Sequence, residues 1–229
     1  MKTNIPESNK LIEDMILDPW NHAVLCDISI KELNQEGFLI EQPLVDHQVQ
    51  PNSVDLTLGN TWKKILPNKY IHVPLMPNER GILDPRVPVK FTEGIFSTMK
   101  DPLNRNNEIE AYMVEPGEFV LMATNEIFNI PPGIICFICG RSSIARLGIQ
   151  IEQAGLIDAG FRGTITLEVH NQTSLPILLL SGMRIAQAYF IKAQIPETMY
   201  GEERGSKYKD QMDATESRSH LDKEFQGGF

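Results

Sequence analysis

The sequence predicts an all-β domain with short helices, of the sandwich, jelly-roll or barrel kind, and three observations carry that expectation. From about residue 43 to 196, short apolar-alternating runs are separated by Pro, Gly and Asn. The chain holds 15 Pro and 16 Gly, enough turn formers to break it into many short elements. Only one convincing helical pattern, Ser143–Leu147 closed by Gly148, interrupts this region.

Taken in order, residues 1–22 read as an N-terminal helical extension. Ser8 is placed to cap a helix whose Leu11, Ile12, Met15 and Ile16 share one face before Pro19. A second helix is expected from Ser29, which has capping-box spacing to Glu32, to about Gly37. Strands are expected at Val54–Leu58, Phe119–Met122 and Ile134–Ile138. The clearest strand is Thr164–His170, where Ile165, Leu167 and Val169 face one way and Thr166, Glu168 and His170 the other. Another, Met183–Ile191, follows the turn at Ser181-Gly182. After Pro196 the chain is polar, a texture that fits a frayed tail or a segment that orders on a ligand.

Composition limits the function classes. Lys and Arg number 21 against 30 Asp and Glu, a net charge of −9, which excludes broad binding to nucleic acid or to an anionic membrane. A local cation cluster for a small anion stays open. No run reaches the roughly 18 apolar residues of a membrane span, and Met1-Lys2-Thr3-Asn4 opens no signal peptide. Three cysteines complete no disulfide framework, which fits a cytoplasmic setting.

Two stretches concentrate chemistry. In Gly140-Arg141-Ser142-Ser143-Ile144-Ala145-Arg146-Leu147-Gly148, two Arg and two Ser lie at a strand end and helix start. That grouping suits phosphate, or else is a serine-capped turn with solvated arginines. In the second stretch, Ala154 to Gly163, three glycines accompany Asp158 and Phe161, a carboxylate suited to a sugar hydroxyl and a ring able to stack. The strand beyond carries Glu168, either exposed or held in a pocket. Cys136 and Cys139 have metal-ligand spacing, but in a strand their thiols diverge, and no second ligand pair is present. None of His22, His47, His72, His170 and His220 is followed two positions later by Glu, so the zinc nucleobase-deaminase signature is absent.

These blocks resemble the zinc-independent dCTP deaminases of the trimeric dUTPase superfamily. The likeness rests on Gly140-Arg-Ser-Ser-Ile-Ala-Arg-Leu-Gly148, Ile157-Asp-Ala-Gly-Phe-Arg-Gly-Thr-Ile-Thr-Leu-Glu168 and Gly182-Met-Arg-Ile-Ala-Gln187. It extends to Leu25–Ile30 and Gln50–Gly59 upstream, and to Tyr200, Gly205–Gln211 and Ser217-Arg218 downstream. The resemblance implies a distorted jelly-roll β-barrel of the dUTPase-like type, assembled as a homotrimer with sites between subunits. It divides the chain into the extension 1–22, a barrel at 23–196 and a nucleotide-covering tail at 197–229.

The resemblance also implies hydrolytic deamination of dCTP, with Glu168 as general base and acid and Ser142 and Arg146 positioning the water. Arg141, Ser143, Lys207 and Gln211 match phosphate-side or lid contacts, Asp158 and Tyr200 contacts at the sugar. Thr166 and Leu167 lie beside the base, and Ala154, Phe161 and Gln187 complete the nucleotide-binding set. Mg²⁺ is expected to arrive with the triphosphate, without zinc. The product is dUTP, or dUMP where a second hydrolysis follows. The small Gly155 and Gln187 resemble the bifunctional members. Two departures stand out: Gly148 to Asp158 is one residue shorter than in familiar members, and Gln211-Met-Asp-Ala replaces a Gly-Pro pair. The alternatives are dUTP diphosphatase activity alone, or a non-enzymatic trimer that senses nucleotide or binds protein.

Overall fold

The computed structural model describes residues 23–66, 83, 85–86, 88–152, 155–201, 203 and 205–226. The helix expected within residues 1–22 lies outside them.

Helix α1, Asp27–Gln35, begins two residues before Ser29 and buries Ile30 and Leu33. Cys26 takes the N-cap position with no side-chain cap. The Asp27 N–H instead donates to Pro51 O at 3.0 Å, so a tertiary partner replaces the expected serine cap. Gly37, at φ +82°, then turns the chain into β1 (Leu39–Ile40).

The strands that follow are β2 (Val49–Gln50), β3 (Ser53–Ile65), β4 (Phe91–Ile95), β5 (Ser97–Lys100), β6 (Glu108–Val114), β7 (Phe119–Thr124), β8 (Phe128–Asn129) and β9 (Ile134–Gly140). Helix α2 spans Ser142–Ala145, one residue earlier and shorter than the pattern suggested, because Gly148 at φ +91° already reverses the chain. Then come β10 (Ile149–Glu152), β11 (Leu156–Ile157), β12 (Arg162–Gly163), β13 (Thr166–Asn171), β14 (Ile177–Leu180) and β15 (Arg184–Lys192).

A nine-stranded sheet runs β10-β13-β7-β3-β15-β9-β11, with β2 and β4 also paired to β3. Two three-stranded sheets, β1-β8-β12 and β14-β6-β5, flank it. The fold is mostly β and the large sheet curls into a half-barrel. A Cβ built on Gly140, at the end of β9, would lie 3.7 Å from Ile151 of β10, so one sheet edge returns beside the other. Strand β3 outruns Val54–Leu58 because Gly59 packs against Ala123 O (a Cβ there would sit at 3.1 Å), and the strand crosses to new partners. Its first half pairs β15 and its second half β7 and β4.

Leu56, Leu58, Val120, Met122, Phe128, Leu167, Val169 and Phe190 fill the core. Cys136 is buried and Cys139 half-buried on β9, so the two thiols diverge as the strand period requires.

The polar tail is docked. Tyr200 N–H donates to Ala159 O at 2.9 Å, Gly163 and Gln211 form a parallel bridge, and Lys63 pairs with Glu216 at 3.1 Å. A 3-10 turn at Ser219–Leu221 and helix α3 (Lys223–Gln226) close the described tail.

Candidate active site

The tail roofs a cleft of about 620 Å³ whose floor is the outward face of β13 and β7. Alternation along β13 puts Leu167 and Val169 in the core and turns Thr166, Glu168 and His170 outward. Glu168 stands opposite Leu121 of β7 and Glu152 of β10. Burial, and secondarily the Glu152 charge, raise the proton affinity of Glu168 above that of an ordinary glutamate. Among the described residues lining the cleft none is Lys or Arg, so nothing cationic offsets that shift. A carboxylate so placed is suited to taking and returning a proton.

The cleft gathers seven of the residues singled out in the sequence: Asp158, Phe161, Thr166, Leu167, Glu168, Tyr200 and Gln211. Asp158 is exposed to the cavity. Phe161 is not a free stacking ring: it is 6% exposed, tilted against Tyr200 with centroids 5.7 Å apart. The Tyr200 hydroxyl accepts from Tyr208 N–H at 3.2 Å. Gln211 Nε2 donates to Thr164 O at 2.8 Å, and its Oε1 is buried without a partner among the described residues. Thr166 Oγ1 accepts from Thr215 N–H at 3.0 Å, tying the tail to the strand that carries Glu168.

A second group lies apart from this cleft. Ser142 and Ser143 on α2 and Arg146 just after it are exposed, their side chains unengaged among the described residues. Arg141 and Gln187 converge on Asp55, at 3.4 Å and 3.0 Å. Lys207 pairs with Asp222 at 2.6 Å. None of these six lines the cleft. Ala154 lies outside the described residues.

Sequence reasoning missed Glu152, Asp55 and the tail hydroxyls of Thr215 and Ser219. The alternation Ile149-Gln150-Ile151-Glu152 signalled a strand, but its register against β13 is a tertiary fact. Asp55 sat inside the quoted Gln50–Gly59 block, and a charge within a run of buried residues was the available signal.

The dCTP deaminase-like family profile matches residues 24–193. The chain belongs to the dCTP deaminase-like family. Relatives of comparable length include the "dCTP deaminase, dUMP-forming" of Sulfurihydrogenibium sp. (strain YO3AOP1), 38% identical over 202 residues, covering 88% of this chain and 99% of the relative. The "dCTP deaminase" of Halorubrum lacusprofundi is 39% identical over 210 residues, covering 88% of this chain and 94% of its own. The crystal structure of 2'-deoxycytidine 5'-triphosphate deaminase from Agrobacterium tumefaciens superposes with a TM-score of 0.54 at 23% identity, over 75% of this chain and 48% of that one. This chain thus spans about half the length of that protein, and the likeness establishes the shared fold. The strand that carries Glu168 lies within the matched span. No described helix is long and apolar enough to cross a membrane.

Proposed function

We propose that this chain hydrolyses dCTP, releasing ammonia from cytosine C4 and then pyrophosphate, to give dUMP. The observation that carries the reading is Glu168, half-buried on the cleft floor beside Glu152 with its proton affinity raised. Glu168 takes a proton from a water as the water attacks C4. It delivers that proton to N3, then takes the second proton from the new C4 hydroxyl and hands it to the amine, so that the C4–N bond breaks, ammonia leaves and the C4 carbonyl forms. Thr166 and the backbone at Leu167 would flank the base, and Asp158 and Tyr200 would hold the sugar side.

The cleft carries no cation from its own described residues, whereas a triphosphate needs several. We infer that a second copy of the chain supplies Ser142 and Arg146 to the water and Arg141, Ser143 and Gln187 to the nucleotide. That arrangement favours a closed homotrimer of 25.9 kDa chains, about 78 kDa in all. Lys207 and Gln211 would bring the 197–229 cover onto the phosphates, the 23–196 barrel carries the chemistry, and 1–22 is an extension. Among the described residues no group of three His, Cys, Asp or Glu side chains could hold a metal. We propose that Mg²⁺ enters with the triphosphate, as MgdCTP, and we place the activity in the cytoplasm with the nucleotide pool.

For the second hydrolysis, Asp158 would orient a water toward the α-phosphate. Gly155, lining the cleft at φ +94° with open space around its missing Cβ, leaves room for it. The names of the dUMP-forming relatives support this step.

The test incubates pure protein with MgdCTP, measures ammonia, and separates the products by chromatography with dUTP as a parallel substrate. Ammonia release that Glu168→Gln abolishes, with dUMP as product, supports the proposal. Accumulating dUTP with added dUTP untouched overturns the second step. Cleavage of dUTP without ammonia from dCTP makes the chain a diphosphatase alone, and binding without turnover makes it a non-enzymatic trimer. Zinc chelation is expected to leave the rate unchanged.

A further inference from the structure

We infer that Asp55, which touches no substrate, is the positioning residue that fixes the nucleotide-facing pose of Arg141 and Gln187. The inference rests on the functional reading above. Asp55 lies in β3, 1% exposed, directly across from Gln187 of β15. Its two oxygens gather four donors from three segments: β2, the start of α2, and β15. Oδ1 accepts from Gln187 Nε2 at 3.0 Å and faces Arg141 Nε at 3.4 Å. Oδ2 accepts from Arg184 Nη1 at 2.9 Å and Gln50 Nε2 at 3.5 Å.

The carboxylate is thereby saturated and closed to any ligand. The Arg141 guanidinium is held twice, because its Nη1 also donates to Arg184 O at 3.3 Å. Arg184 is fixed in turn through Nη1 to His47 O at 3.0 Å. With Nε and Nη1 of Arg141 engaged in this cluster, the clamp leaves its other guanidinium donors for a ligand. The charge count matters as well. Two guanidiniums share one buried carboxylate, so the cluster keeps about one positive charge for an anion while neither arginine is left unpaired. Sequence distance conceals this clamp: Asp55 and Gln187 are 132 positions apart.

The test combines steady-state kinetics on MgdCTP with binding of inorganic tripolyphosphate by calorimetry. Asp55→Asn is expected to raise KM at least tenfold while kcat stays within threefold. The double variant with Arg141→Ala should be no worse than Arg141→Ala alone within twofold, because both changes remove one function. If Asp55→Asn fails to fold, Arg141→Lys decides. A lysine cannot be clamped through two nitrogens and still donate outward, so its KM should fall within threefold of that of Arg141→Ala. A wild-type KM in Arg141→Lys, additive losses in the double variant, or a drop in kcat with KM unchanged would overturn the clamp. Should the wild-type protein not turn over dCTP, the functional reading fails by itself. Tripolyphosphate binding then reports on the clamp: a tenfold loss in Asp55→Asn supports it, and equal binding refutes it.

Discussion

Replacing Gly163 by Ala tests whether the tail is held where it roofs the cleft. Gly163 sits at φ +134°, and an added Cβ would lie 2.4 Å from Gln211 O and 3.0 Å from Gln211 N, both backbone atoms that cannot swing aside. Three hydrogen bonds cluster at that contact: Thr164 N–H to Gln211 O at 2.8 Å, Gln211 Nε2 to Thr164 O at 2.8 Å, and Asp210 N–H to Arg162 O at 2.7 Å. At about 1 kcal/mol each, their loss weakens tail docking by about 3 kcal/mol, on the order of 100-fold in the closed-to-open ratio. The strained backbone adds roughly 1–3 kcal/mol against the barrel itself, lowering Tm by about 2–4 °C per kcal/mol at this chain length. Limited trypsin digestion reads the docking, because Lys207, Lys209 and Arg218 lie in the tail. The variant should be cut there well before wild type, and its KM for dCTP should rise. Tail cleavage at the wild-type rate in a variant whose Tm has fallen would refute the reasoning.

The pH dependence follows from Glu168. Because the fold raises its proton affinity, kcat/KM should lose its acid limb above the ordinary glutamate range; Glu152→Gln removes the like charge and should move that limb to lower pH. The same shift means that native chains bind more protons than unfolded ones in that window. Stability therefore falls as pH rises through it, and urea melts should show a shallower fall in Glu152→Gln. Phe128→Ala, at a fully buried side chain whose strand β8 pairs both β1 and β12, should cost about 3–5 kcal/mol in urea melts.

Much of this site was legible in the residues, and the limit can be stated physically. Period-two alternation correctly put Glu168 on the polar face of its strand, with Leu167 and Val169 buried behind it. Alternation does not say what stands over that face. The roof comes from Tyr200, Gln211 and Thr215, more than 30 positions later, held by hydrogen bonds to the Ala159 and Thr164 backbone and the Thr166 hydroxyl that no local pattern announces. Ser29 misled for a related reason: a tertiary acceptor, Pro51 O, outcompeted a local cap at the start of α1. The arginine-serine block was open to two readings, an anion site or a capped turn, and its distance from Glu168 within one chain was not legible, because spacing along a sequence says nothing about which face of a curled sheet each end reaches.

The pairing of β3 with β15 also sets when the molecule can fold. Residues 54–57 take long-range ladder partners from residues 184–188, so a chain emerging from the ribosome holds the first half of β3 with only the short β2 beside it until nearly 190 residues are out. The loop to be closed is long, and its entropy is lost before the contact is gained. Closure of the barrel thus waits on β15, and the interval before β15 arrives is when a strand of Val54, Leu56 and Leu58 is open to mispairing with another chain.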